Sequence, residues 1–90
     1  MPESSEQRTA TLPDGVALHA RPAANLVRAS AQHAASITLR ANGKQADAKS
    51  ILQVLGLGAK GGTEVEVEVS GEDAAATADA IADMLATLSE

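Results

Sequence analysis

A hairpin written into residues 35–46 constrains the fold more than any other stretch. From Ala35 to Ala41, Ile37 and Leu39 fall on one side and Ser36, Thr38 and Arg40 on the other, the period of a half-buried strand. Asn42-Gly43 follows, a dipeptide that tolerates the two positive φ angles of a type I′ turn, and Lys44 to Ala46 begins the returning strand. A second alternating stretch, Thr63 to Val69, turns Val65, Val67 and Val69 one way and Glu64, Glu66 and Glu68 to solvent. A weaker one, Glu6 to Leu12, turns Ala10 and Leu12 inward.

Three helices separate these strands. Ala20 to about His33 repeats Ala20, Ala23, Ala24, Val27, Ala31 and Ala34 at helical spacing, with Leu26 at the flank of the stripe. Ser50 and Gln53 fit a capping box opening a short helix from Ser50 to about Leu55, which Gly56 and Gly58 end. Ser70 and Asp73 repeat the capping pattern before a third helix, whose buried face is Ala74, Ala78, Ile81, Ala82, Leu85 and Leu88. Pro13-Asp14-Gly15 and Lys60-Gly61-Gly62 read as turns. The order β-α-β-β-α-β-α, closed by two right-handed split βαβ units, predicts an α+β domain with a four-stranded antiparallel sheet and three helices on one face.

The chain has no Phe, Trp or Tyr, so this core must be aliphatic and closely packed. Ninety residues suffice for one domain, 1–90, with residues 1–5 expected as a flexible tail. Without cysteine there is neither a disulfide framework nor a thiolate site. The start Met1-Pro2-Glu3-Ser4-Ser5-Glu6 has no basic or apolar leader region, and no apolar run is long enough to span a bilayer. The expectation is a cytoplasmic protein without membrane insertion. Residues 1–62 hold all the basic side chains, whereas 63–90 hold eight acidic ones and no base. An acidic chain without aromatic stacking platforms is a poor nucleic-acid binder. Arg21, Arg28 and Lys49 could instead form a positive patch for an acidic protein surface.

The chemistry is expected in Leu18-His19-Ala20-Arg21-Pro22-Ala23. This stretch puts a histidine at a helix start, with Pro22 in the first turn, where its missing N–H costs little. The open N–H groups around Ala20 and the positive end of the helix dipole favour an anion beside the imidazole, and Arg21 can add a charge-assisted bond. Neutral imidazole is a nucleophile near neutral pH, so the residues suggest a histidine that accepts a phosphoryl group. A lone histidine at a helix start is otherwise a surface or capping residue. His33, at the far end of the helix, is expected as a surface residue favoured by the dipole, and the two histidines lack further ligands for a metal.

Leu18 to Ala23, followed by Lys49-Ser50-Ile51-Leu52-Gln53-Val54-Leu55-Gly56-Leu57-Gly58, closely resembles HPr, the histidine-containing phosphocarriers of the bacterial sugar phosphotransferase system. The likeness runs from about Arg8 to the C-terminus. It implies an open-faced β-sandwich, phosphorylation of His19 at Nδ1 by enzyme I, stabilisation of the phosphate by Arg21, and transfer to an enzyme IIA domain. It implies a phosphohistidine intermediate with no cofactor and no small-molecule turnover of its own. It also implies that Ile51, Leu52 and Leu55, with Arg28 and Lys49, form the docking face, and that Ser50 is a possible target of a serine kinase and phosphatase. A monomer is the default. The pattern departs at Ala17, where the family has glycine; here the glycine is Gly15, which implies a different loop path or an insertion. Two alternatives remain: a regulatory, partner-binding paralogue controlled through Ser50, and a ferredoxin-like small-ligand domain, which leaves His-Ala-Arg-Pro without a role.

Overall fold

The computed structural model describes residues 5–89. The strands are β1 (Ser5–Thr11), β2 (Ser36–Ala41), β3 (Lys44–Asp47) and β4 (Glu64–Ser70); the helices are α1 (Ala20–Ala31), α2 (Ile51–Gly56) and α3 (Ala74–Ala86). They form one antiparallel sheet in the order β1-β4-β2-β3. β4 lies between β1 and β2, and β2 between β3 and β4, so each crossover helix joins parallel strands across a third. These are the two split βαβ units expected from the element order.

One face of the sheet carries Ile37, Leu39, Val65, Val67 and Val69, all buried beneath the helices. α3 covers β1 and β4, α2 lies beside β3, and α1 packs between α2 and α3. The other face is open and polar. There Arg40 of β2 reaches across to Glu68 at 2.6 Å and Glu66 at 3.5 Å on β4. The hydrogen bond to Glu68, foremost, raises the Arg40 pKa above its ordinary value despite some desolvation.

Several elements differ from the sequence expectation. Ser5 is the first residue of β1, paired with Ser70, and so does not belong to a tail; residues 1–4 of the expected tail lie outside the described residues. The buried face of α1 is Pro22, Ala23, Leu26 and Ser30, while Ala20 and Ala31, and Ala34 beyond the helix, are exposed. Counting every alanine as apolar misplaced the stripe; the larger Leu26 sets it. α1 stops at Ala31 because the next amides tighten, Gln32 N–H donating to the Ala29 carbonyl and His33 N–H to that of Ser30.

The capping box of α2 is half formed. The Ser50 hydroxyl accepts from Gln53 N–H at 3.4 Å, but the Gln53 side chain reaches past the N-cap to accept from Asp47 N–H at 2.8 Å. The box expected for α3 does not form. Ser70 is held in the sheet, opposite Ser5 and Ser36, and the N-cap is Asp73 itself, at φ 56° with no side-chain cap bond. Glu72 and Asp73 thus precede the helix. Of the face predicted for α3, Ala74, Ala78, Ile81 and Leu85 are buried together with Thr77, whereas Ala82 is half-buried and Leu88, also buried, lies beyond the end of the helix.

The ladder also fixes where the loops meet. Thr11 pairs with Glu64, so the chain leaving β1 and the chain entering β4 run side by side at one end of the sheet. Leu12 N–H donates to the Thr63 carbonyl and Gly62 N–H to that of Leu12. A Cβ on Gly61 would lie 2.6 Å from the Gly15 nitrogen and 2.8 Å from the Pro13 oxygen, both backbone atoms that cannot swing aside. Gly61→Ala is therefore expected to push the two turns apart and to lower unfolding stability by about 1–3 kcal/mol, measured by urea denaturation. Wild-type stability in that variant would mean the turns separate freely.

Candidate functional site

The paired turns deliver His19. Leu18 is buried and its N–H donates to the Ala59 carbonyl at 2.9 Å; on the other side Pro22 and Ala23 lie on the buried face of α1. His19 between them is exposed and is the N-cap of α1, at φ −95° and ψ −169°, with its carbonyl accepting from Ala23 N–H at 2.9 Å. Backbone contacts on both sides thus fix the position of its Cα.

The His19 side chain makes no cap bond, and among the described residues no other side chain caps α1 at this end. The N–H groups of Ala20 and Arg21 are those a helix leaves open, and Pro22 has none to leave. Arg21 is exposed, and among the described residues it bonds to no other side chain, so its guanidinium can turn to an incoming anion. The first turn holds no acidic residue to compete for that position. A shallow hollow beside the imidazole is lined by Ala17, Leu18, Leu55, Gly58, Ala59 and Lys60. Ala17 takes no positive φ, whereas Gly15 does, at 81°. The departure from the family pattern therefore leaves no strained alanine beside His19.

α2 lies next to this hollow. Val54 is its buried residue and Leu55 is half-buried, while Ile51 is 37% and Leu52 80% exposed. The four apolar residues thus divide between core and surface, as their number on so short a helix required. Arg28 is exposed on α1 and hydrogen-bonds Asn25 one turn back. Lys49 is less available than the sequence suggests, since its ammonium donates to the His33 carbonyl at 2.7 Å. Ser50, half-buried, holds the N-terminus of α2.

His33 is not the surface residue expected. It is half-buried, and its Nδ1 lies 3.3 Å from the hydroxyl of buried Thr77 on α3. It therefore ties the segment just after α1 to α3. Sequence reasoning also passed over Lys60, taken only as part of a turn, because its place in the hollow depends on the β1–β4 pairing and leaves no local signal. Among the described residues no cluster of His, Cys, Asp or Glu could hold a metal, and no helix is long and apolar enough to cross a membrane.

An open-faced sandwich with an exposed histidine at a helix N-terminus places the chain with small histidine-containing phosphocarriers. The HPr crystal structure from Bacillus anthracis str. Ames superposes with a TM-score of 0.85 at 28% identity, over 91% of this chain and 98% of that one. An HPr dimer from Thermoanaerobacter tengcongensis superposes with a TM-score of 0.68 at 29% identity, over 88% and 91% of the two chains. Phosphocarrier protein HPr of Mycoplasma capricolum subsp. capricolum is 41% identical over 66 residues, 73% of this chain and 74% of that protein. The family model described as the PTS HPr component phosphorylation site matches residues 6–87, and the chain belongs to this PTS-HPr family.

Proposed function

We propose that His19 takes a phosphoryl group from phospho-enzyme I and passes it to an enzyme IIA domain of a sugar transport system. In the step proposed, the lone pair of Nδ1 on the neutral imidazole attacks phosphorus as the bond from phosphorus to the donor breaks, the donor keeping that bond's electron pair. Attack from Nδ1 requires the tautomer that carries its ring proton on Nε2. The second transfer reverses these roles.

The supporting observation is the N-terminus of α1: an exposed histidine in the N-cap position whose side chain makes no cap bond, and Arg21 two residues on. The N–H groups of Ala20 and Arg21 and the guanidinium of Arg21 face charge that sits on the phosphoryl oxygens in both carrier states. A carrier must not hold its group in a deep well, because strong ground-state binding would slow onward transfer. One arginine and one helix turn in an open site meet that requirement. This chemistry needs neither a metal nor a cofactor, and it gives no small-molecule turnover without both partners.

The docking face in this proposal is Ile51, Leu52 and Leu55 of α2 with Arg28 of α1, and Lys49 at its margin. An 80%-exposed leucine on the helix that borders the His19 hollow is apolar surface that a partner can bury. Ser50 adjoins that face, so phosphorylation there would set a double negative charge among the docking residues and weaken their contacts. The test is a relay. Incubation with phosphoenolpyruvate, magnesium and active enzyme I is expected to add one phosphoryl group by intact mass, and addition of a IIA domain to remove it. An adduct that no IIA domain accepts would defeat the carrier role.

A further inference from the structure

Asn42 looks in the sequence like a turn residue only, and it does occupy the left-handed conformation of the hairpin, with φ 55° followed by 73° at Gly43. Its side chain has a second use. The amide Nδ2 donates to the Leu57 carbonyl at 3.0 Å and the Gly58 carbonyl at 3.3 Å, just beyond the C-terminus of α2. Two residues on, the Lys44 ammonium donates to the Gly56 carbonyl at 3.4 Å. The hairpin tip therefore supplies donors for carbonyls that the end of a helix leaves open.

This matters because α2 has only six residues and cannot hold its own ends. The segment that Asn42 ties down continues directly into the His19 hollow. Gly58 and Ala59 line it, and the Ala59 carbonyl receives the Leu18 N–H that fixes the residue before His19. We propose that Asn42 is a positioning residue for the phosphoryl site, acting through residues 57–59 and the Leu18–Ala59 bond. The proposal rests on the carrier reading for its effect on transfer, and on geometry alone for its effect on the loop.

Asn42→Gly separates the two roles of the residue, since glycine adopts the left-handed turn freely but has no amide to donate. Amide exchange in the unphosphorylated protein should then speed about tenfold at Leu18 and stay unchanged in the central strand β4. The maximal rate of phosphoryl transfer should fall several-fold, roughly two- to tenfold, at an unchanged half-saturating concentration of donor, because the docking residues are untouched. Asn42→Asp should be worse on both measures, as its carboxylate faces the same carbonyl oxygens. Wild-type Leu18 exchange in Asn42→Gly would overturn the tether. Unchanged transfer, a change only in half-saturation, or equal acceleration in β4 would overturn the positioning role. If wild-type protein accepts no phosphoryl group, the carrier reading fails on its own, and Leu18 exchange with the His19 ring signals still decides the tether.

Discussion

His19→Gln is expected to take up no phosphoryl group from phosphoenolpyruvate and enzyme I, while keeping its fold. Glutamine retains a polar side chain of similar reach at the N-cap but has no nucleophilic nitrogen, since its amide lone pair is delocalised into the carbonyl. The position is exposed and its side chain makes no cap bond to α1, so the substitution is expected to cost much less than truncating a core residue. Loss of the adduct at a nearly unchanged melting temperature would therefore report lost chemistry. Residual phosphorylation at the wild-type level would point to another acceptor, and the half-buried His33 and Ser50 are the first to inspect.

Leu26→Ala is expected to have the largest effect on stability among single truncations in α1. Leu26 is fully buried in a core with no aromatic side chain, so no ring can swing in to fill the space. Truncating a buried leucine costs about 2–5 kcal/mol, depending on how far the site collapses. A domain of this size has about 5–15 kcal/mol in all. A loss of about 3 kcal/mol would lower the melting temperature by roughly 12–24 °C, read by calorimetry. Because α1 is held to the core by few residues, Leu26 among them, the same variant should also loosen the His19 end of the helix. A melting temperature within about 3 °C of wild type would mean that α1 is anchored elsewhere.

The strands were legible because period-2 alternation is a local signal: Ile37 and Leu39, or Val65, Val67 and Val69, mark a buried face within a few residues. Asn42-Gly43 fixed the hairpin for the same reason, its backbone preference acting over two residues. The face of α1 was less legible, because alanines on all sides of that helix are compatible with several stripes and only packing chooses among them. The start of α3 was misread because Ser70 had two possible employments, and its pairing with Ser5 and Ser36 overrode the cap. At the candidate site, His19, Arg21 and Pro22 stand together in sequence and could be found there. Lys60, Ala59 and Asn42 reach the site only through strand pairing and the hairpin's contact with α2, which no short motif encodes. The tether from Lys49 to His33 is hidden in the same way.

The most direct measurement is a long-range proton–nitrogen NMR spectrum of the histidine rings, recorded before and after phosphorylation by enzyme I. The carrier mechanism predicts that one ring changes, that it is His19, and that the modified nitrogen is Nδ1, with the His33 signals and the Ser50 side chain unmodified. Phosphorus on His19 Nε2, on His33 or on Ser50, or no adduct with an enzyme I shown to be active on another carrier, would contradict it.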